Sequence, residues 1–356
     1  MTLLLSNDDV LRVLDARACI DALETAFADL AAGEAVNRPR SHTYTPLGDG
    51  HWYLFKSMDG SIPRLGVHAI RLSSDHTHEH EQGGKRRRDK LALAPGARFV
   101  GLVLLFDIRT LEPLAILQDG ELQRMRVGCT SALAAKHLAR RDARIVGLIG
   151  SGWQAETQLV ALAQVRDIEH VRAYSTNADR VAAFAARVSE RIGRPVRAVS
   201  SAREAVEGAD IVVCATNSND PVLDGAWLAA GQHVGSVQSH ELDAGTLARA
   251  DVIVVRSREA ATFHHPPGNA PVEAAEVKHL DRRLAGKVVE LGDVVCGRAG
   301  RRSAEDVTLF TGGGLGASSG LGIQFAAVAN AVYRAAKAKG LGRELPTEWF
   351  TETAKP

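Results

Sequence analysis

Residues 144–155, RIVGLIGSGWQA, constrain what this chain can fold into more than any other stretch. Ile145, Val146, Leu148 and Ile149 form a short apolar run that stops at Gly150, followed by Gly152 and then Ala155. The pattern is G-x-G-x-x-A, set between a strand candidate and a helical periodicity. The first glycine allows a tight turn, the second lets main chain approach a pyrophosphate, and the alanine lets helix pack closely on strand. The unpaired N–H groups and partial positive charge of the helix N-terminus then receive the phosphates. A lone string of this kind is weak and is often a glycine-rich surface turn. In this setting it predicts a dinucleotide site built from Gly150, Ser151, Gly152, Trp153, Gln154 and Ala155.

C-terminal to the motif the chain keeps the matching rhythm. Short apolar runs at 170–174, 196–199, 211–216, 233–237 and 252–255 read as strands. Helical patterns at 157–165, 178–192 and 202–206 lie among them. That alternation predicts an α/β fold with a doubly wound parallel sheet. Ahead of the motif the pattern differs. Apolar residues recur at helical spacing over 16–32. Strand-like stretches lie between 43 and 74, a hairpin is expected from 99–106 and 113–118, and a helix of small residues spans 124–140. Near the end, 312–316 is a second glycine-rich turn, and 325–337 is a final amphipathic helix suited to return to the N-terminal part.

Segment 75–90, DHTHEHEQGGKRRRDK, resists the scheme. His76, His78 and His80 alternate as metal ligands on one strand face would. Gly83, Gly84 and the basic run at 85–88 favour instead a solvated loop, with the charges in water or near an anionic substrate, and no metal is expected. The chain's 356 residues suit two domains. A formal net charge of +1 gives no general attraction to nucleic acid or to an anionic membrane. Four scattered cysteines without a C-x-x-C fit buried thiols in a reducing compartment. With no basic start to a long apolar leader and no run of about 18 apolar residues, a cytoplasmic location is expected.

Several separate stretches together resemble the ornithine cyclodeaminase/mu-crystallin family. They are Pro39-Arg40, DGELQRMRVGCTSALAAKHLA from Asp119, the GSGWQA turn, Ala209-Asp210-Ile211-Val212 with Ala215-Thr216, Gly225-Ala226-Trp227-Leu228, Gly231-Gln232-His233-Val234, Glu241-Leu242-Asp243, Thr308-Leu309-Phe310 and the closing helix. The resemblance implies a Rossmann-type doubly wound parallel sheet (127–316) inserted in an α+β substrate-binding and dimerisation domain (1–126 plus 317–356). It also implies a homodimer, a nicotinamide cofactor and a small amino- or imino-acid substrate, with no nucleic-acid or membrane partner.

Residue by residue, Arg40 and Arg126 fall on the family's carboxylate-binding arginines, a role suited to the planar guanidinium. The family's lysine falls on His68 or Arg71 in Gly66-Val67-His68-Ala69-Ile70-Arg71. Arg71 is preferred as a catalytic and substrate-binding group, and Lys56 is a third choice. Cyclodeaminases carry an aspartate after the strand at 233–237. This chain has none there, leaving His240 or Glu241 as candidate acid/base groups, with Glu241 as a helix-start residue the alternative. Ser318-Ser319 stand where a second aspartate is common. Deaminating cyclisation needs several timed proton transfers, whereas reduction of a protonated imine needs mainly a hydride. The resemblance therefore points to an imino-acid reductase or amino-acid dehydrogenase. An ornithine cyclodeaminase, or a non-catalytic binding protein of the mu-crystallin type, is the alternative. Strand 170–174 ends in Ser175, Thr176 and Asn177 with Arg180 near, and has no carboxylate for ribose hydroxyls. NADP(H) is expected ahead of NAD(H), with Thr216 and Val237 also lining the cofactor.

Overall fold

The computed structural model describes residues 1–82, 85–258, 262–265, 267–268, 272–273, 284, 286–312 and 320–353, without the side chains of 82, 85–88, 262, 272 and 273. In chain order the strands are β1 (Thr2–Leu5), β2 (Val36–Asn37), β3 (Arg40–Gly48), β4 (His51–Ile62), β5 (Val67–Gln82), β6 (Lys85–Leu91), β7 (Val100–Asp107), β8 (Pro113–Gln118), β9 (Ile145–Ile149), β10 (His170–Tyr174), β11 (Val196–Ala198), β12 (Ile211–Cys214), β13 (His233–Ser236), β14 (Val252–Val255), β15 (Thr262–His265), β16 (Val272–Glu273), β17 (Val288–Glu290), β18 (Thr308–Thr311) and β19 (Arg343–Leu345).

Eight of them form one sheet in the order β11-β10-β9-β12-β13-β18-β14-β17, and every neighbouring pair is parallel. Continuous apolar runs such as Ile211–Cys214 and Val252–Val255 are buried at every residue. A parallel sheet covered on both faces demands such runs. The expected strands of this half are present with slightly shorter ends, and β17 and β18 complete the sheet. Between β9 and β12 the order reverses, so their carboxyl ends frame a crevice. The first helix after β9 is Trp153–Leu162 and starts directly at Gly152, four residues earlier than the periodicity predicts.

The other sheet has eleven strands, β16-β15-β3-β4-β5-β7-β8-β1-β19, with β2 also on β4 and β6 also on β5. Alternation puts Leu54, Met58 and Ile62 of β4 and Val67, Ala69, Ser73 and Asp75 of β5 on a buried inner face. The closing helix, Gly322–Ala338, packs its buried face there in one large apolar cluster shared with the helix Ala16–Ala31. β15 was not foreseen. It follows the nucleotide-half strand β14 but pairs in parallel with β3, Thr262 opposite Arg40 and His264 opposite His42.

Segment 75–90 is not a solvated loop. It is the outer part of a hairpin in which β5 runs to Gln82 and β6 returns from Lys85. The backbone register pairs Glu79 with Arg88 and Glu81 with Arg86. A strand polar on both faces leaves no alternation to read. Residues 313–316 of the second glycine-rich turn, and Ser318-Ser319, lie outside the described residues.

The long helix Gly120–Leu138 connects the halves. It is buried at nearly every position from Leu122 to Ala135, as a helix packed on all sides must be. It starts one turn before the predicted residue 124, because its first N–H groups are capped from elsewhere. Gln118 Oε1 accepts from Gly120 N–H at 2.6 Å, and Asn7 Oδ1 accepts from Glu121 N–H at 3.0 Å. Gly128 makes close packing possible in mid-helix, since a Cβ there would lie 2.7–2.9 Å from Thr157. Among the described residues no helix is long and apolar enough to cross a membrane.

Candidate active site

Three adjacent strands place a row of polar groups on the inner face. The register pairs His42 of β3 with Lys56 of β4, and Lys56 with Ser73 of β5. Cross-strand partners share a face and alternate residues return to it, so Arg40, His42, Lys56, Arg71, Ser73 and Asp75 all point inward. Lys56 Nζ pairs with Asp75 at 3.0 Å, and Lys90 Nζ approaches the same carboxylate at 2.6 Å. Burial pushes the Lys56 ammonium below its ordinary range despite Asp75.

Arg126 enters from the long helix and is 3% exposed. Its Nε and Nη2 donate to Gln123 Oε1 at 3.1 and 2.8 Å, and Nη1 donates to Gln324 Oε1 at 3.2 Å. These partners are neutral amides. Burial, joined by the positive charges of Arg256, Arg71 and Arg40, lowers its guanidinium pKa well below the usual value. The Arg126 guanidinium lies 5.0 Å from the centre of the Phe325 ring, and that of Arg71 lies 5.9 Å from the same centre. Arg71 donates through Nε to Asp119 at 2.6 Å.

The structure separates Arg71 from His68. His68 occupies the opposite face of β5, its Nδ1 2.7 Å from Ser61 Oγ and its Nε2 3.7 Å from Asp59. It is therefore not brought together with Arg40, Arg71 and Arg126, and the expectation of substrate binding by His68 is corrected. Odd and even residues of one strand cannot serve the same pocket.

Sequence reasoning missed Arg256, the residue after β14. It is buried, donates through Nη1 to Gly312 O, and its guanidinium lies 5.5 Å from the Phe310 ring centre. Burial, with Arg40 nearby, pulls its pKa down to about 9. The only signal was an arginine closing the apolar run VIVV at the carboxyl end of a strand. The strand β15, six residues beyond Arg256, pairs with β3 at Arg40, which brings this end of the parallel sheet to the other one.

At the crevice, Gly150 has φ +122°, and a Cβ would lie 2.2 Å from Ala215 O. Gly152 faces open space. The helix behind it begins without a side-chain cap, so its leading N–H groups remain available to an anion. Ser151 and Gln154 are half-buried and Ala155 is buried. Trp153 is exposed and lies over Arg124, 5.0 Å from ring centre to guanidinium. Arg124 also donates to Thr157 Oγ1 at 2.7 Å and pairs with Glu121 and Glu156, linking the long helix to the glycine-led one.

After β10, Ser175 is half-buried while Thr176 and Arg180 are exposed. Asn177 Oδ1 accepts from Arg180 N–H at 2.8 Å and caps the helix Ala178–Ile192, so that oxygen already has a structural task. Val237 lies half-buried where β13 ends, its N–H donating to Cys214 O at 3.0 Å.

Glu241 corrects another expectation. Its carboxylate is wholly buried and occupied. Oε1 accepts from Thr216 N–H at 2.6 Å and Thr216 Oγ at 2.8 Å, while Oε2 accepts from Ser236 Oγ at 3.2 Å and Gln238 N–H at 2.8 Å. A carboxylate holding four donors clamps the ends of β12 and β13 and is not placed as a mobile acid/base. This agrees with the alternative structural reading. His240, beside it, is exposed. Among the described residues no three His, Cys, Asp or Glu side chains are grouped to hold a metal ion.

A doubly wound sheet with a glycine-turned crevice, beside a second sheet whose inner face carries Arg40, Lys56 and Arg71, defines a dinucleotide-binding class of protein. Within that class, the sequence model of the ornithine cyclodeaminase/mu-crystallin family matches residues 1–340, and the chain belongs to that family. A Delta(1)-pyrroline-2-carboxylate reductase of Bacillus cereus is 36% identical over 251 residues, 69% of this chain and 74% of that protein. Among solved structures, Thermococcus litoralis Delta(1)-pyrroline-2-carboxylate reductase in complex with NADH and L-proline superposes with a TM-score of 0.76 at 29% identity, covering 97% of this chain and all of that one. Iminosuccinate reductase of Paracoccus denitrificans in complex with NAD+ gives 0.75 at 25% identity, covering 97% and 99% of the two chains.

Proposed function

We propose that this chain is an NAD(P)-dependent oxidoreductase that reduces the C=N bond of an imino acid, or oxidises the corresponding amino acid. The observation that carries this reading is Arg126: a buried guanidinium that, among the described residues, is hydrogen-bonded by the neutral amides of Gln123 and Gln324 and shares the Phe325 ring with Arg71. A substrate carboxylate bridging Arg71 and Arg126 would give the buried cation its counter-charge through charge-assisted hydrogen bonds. Asp119 fixes the Arg71 fork from behind. Lys56, steadied by Asp75, keeps the floor of the pocket positive. A bound nicotinamide supplies or accepts the hydride. The protein's part is to orient the imine carbon and exclude water. Reduction of a protonated imine places little demand on a general base, which fits a site whose Glu241 is fully engaged.

The substrate half is assigned to 1–126 with 317–356 and the nucleotide half to 127–316, the boundary falling inside the long helix. With Ser175, Thr176 and Asn177 rather than an acid directly after β10, and Arg180 exposed beside them, NADP(H) is the preferred cofactor. The outer face of the large sheet carries exposed Val100 and Leu102 beside Leu72 and Leu104, and is assigned as the contact face of a homodimer.

The test is reduction of Delta(1)-pyrroline-2-carboxylate with NADPH and NADH, beside incubation of L-ornithine with catalytic NAD+. Cofactor oxidation matched by proline formation is expected, with the larger kcat/KM for NADPH. Proline and ammonia from ornithine without net cofactor reduction would overturn the reading, as would inactivity toward this imino acid and toward keto acids supplied with ammonium.

A further inference from the structure

The inner-face row contains one group that the proposed reaction does not use. His42 is 8% exposed, and among the described residues neither Nδ1 nor Nε2 has a hydrogen-bond partner. Its ring stacks on His264 with centroids 5.4 Å apart and planes 15° apart, and Tyr44 lies 6.3 Å away at a tilt. It stands directly across from Lys56, one alternation along β3 from Arg40. Buried imidazole nitrogens are ordinarily paired, and two left bare on one ring represent recognition capacity that a ligand can fill. Burial, with the positive charges of Arg40, Lys56, His264 and Arg71, holds this imidazole to a pKa of about 3. The ring is thus neutral at working pH and offers one N–H and one lone pair.

We propose that His42 is a second substrate anchor, donating a hydrogen bond to a side-chain carboxylate of the substrate while Arg71 and Arg126 hold the α-carboxylate. This rests on the imino-acid reading above and ranks substrates with two carboxylates ahead of those, such as Delta(1)-pyrroline-2-carboxylate, that carry one. A purely hydrocarbon ring or chain would cover His42 and leave both nitrogens bare, an arrangement that disfavours binding. An anionic oxygen receives the N–H and lies in the positive potential that already disfavours a proton on this ring. A site built to hydrogen-bond a polar substituent discriminates strongly against the analogue that lacks it. His42 touches no reacting atom in this scheme, so its effect falls on selection rather than on the hydride step.

Two probes that differ by one carboxylate, L-aspartate and L-alanine, are titrated calorimetrically into the full chain saturated with reduced cofactor. The wild-type protein is expected to bind L-aspartate at least about tenfold more tightly, the scale of one good polar contact. His42→Phe should abolish the preference, leaving L-alanine affinity within about twofold and cofactor affinity unchanged, while His42→Gln retains part of it. Equal affinity of the wild type for the two probes, or a preference that survives in His42→Phe, overturns the proposal. A second readout avoids dependence on the folding of the phenylalanine variant. The His42 ring NMR signals, assigned by their loss in His42→Gln, should move with L-aspartate and stay in place with L-alanine, and the reverse result also overturns it. In turnover, wild type and His42→Phe are compared on oxaloacetate and pyruvate, each with ammonium. The variant's loss should appear mainly in KM for oxaloacetate. Absence of all turnover refutes the reductase reading, while the calorimetry still decides the fate of His42.

Discussion

Replacing Arg126 with methionine tests the carboxylate clamp most directly. A bidentate guanidinium–carboxylate contact consists of two charge-assisted hydrogen bonds, each contributing roughly 1.5–3 kcal/mol. Their loss amounts to about 3–6 kcal/mol, or roughly a 100- to 10,000-fold fall in kcat/KM. The stability terms oppose one another. The variant leaves Gln123 Oε1 without its Arg126 donor, at about 1–3 kcal/mol, while Gln324 Oε1 keeps the Leu321 N–H at 3.0 Å. It also removes a buried cation repelled by Arg256 and Arg71, a gain of several kcal/mol when a buried charge is replaced by an apolar side chain of similar volume. Methionine still reaches the Phe325 ring with a soft sulfur. The melting temperature should therefore stay within about 5 °C of wild type, given 2–4 °C per kcal/mol for domains of this size. Steady-state oxidation of NADPH with Delta(1)-pyrroline-2-carboxylate measures the catalytic loss, and calorimetric melting measures the stability. A fall in kcat/KM of less than about tenfold in a folded variant would refute the assignment of Arg126 to the substrate. Global unfolding would instead show that its bonds to the two glutamines are structural.

Other perturbations give separate checks. Gly150→Ala puts a Cβ 2.2 Å from Ala215 O at φ +122°; cofactor affinity should fall by more than about tenfold and the melting temperature by several degrees, and unaltered NADPH titration would remove this turn from the cofactor site. Glu241→Gln gives one terminus of the side chain a donor facing other donors, so stability should drop by about 1–3 kcal/mol in urea melts, with the pKa values of the pH–rate profile unmoved. A lost or shifted limb of that profile would restore Glu241 as an acid/base. His42 and His233 are both held to about 3, chiefly by burial, against about 6.5 when unfolded. The unfolded chain therefore binds more protons between those values: this stabilisation is complete above about pH 6.5 and is lost as pH falls toward 3, by up to roughly tenfold in the unfolding constant per pH unit for each ring. Urea midpoints between pH 7 and 5 should show that slope, and His233→Gln should reduce it.

What the sequence made legible was whatever short-range pattern encodes. The G-x-G-x-x-A turn, the buried parallel strands and the closing helix follow from apolar runs and small residues at fixed spacing, and the nucleotide half could be read almost strand by strand. Arg40, Arg71 and Arg126 came from motif likeness; the structure puts Arg40 and Arg71 on one sheet face and the guanidiniums of Arg71 and Arg126 near the same Phe325 ring. Groups fixed by distant partners were not legible. Helix 120–138 starts where it does because Asn7 and Gln118 cap it. The strand character of 75–90 comes from backbone pairing between β5 and β6 rather than from alternation. Nothing near Arg256 or His42 in the sequence says that β15 leaves one half to pair with the other. Glu241 was misjudged because an acid beside a cofactor strand looks reactive until its four donors are counted.

The long helix has a consequence for substrate range. The guanidinium at Arg126 and the ledge at Gly128, pressed on Thr157 of the glycine-led helix, are separated by barely half a turn of one rigid rod. Arg124 bolts that junction again through Thr157 and Glu156. On the proposed function, that span is a fixed gauge between the arginine that grips the acid group and the turn that seats the phosphates. Any molecule processed here must present its reactive carbon at one set reach from its carboxyl end, and variety among substrates has to be absorbed on the far side of that carbon.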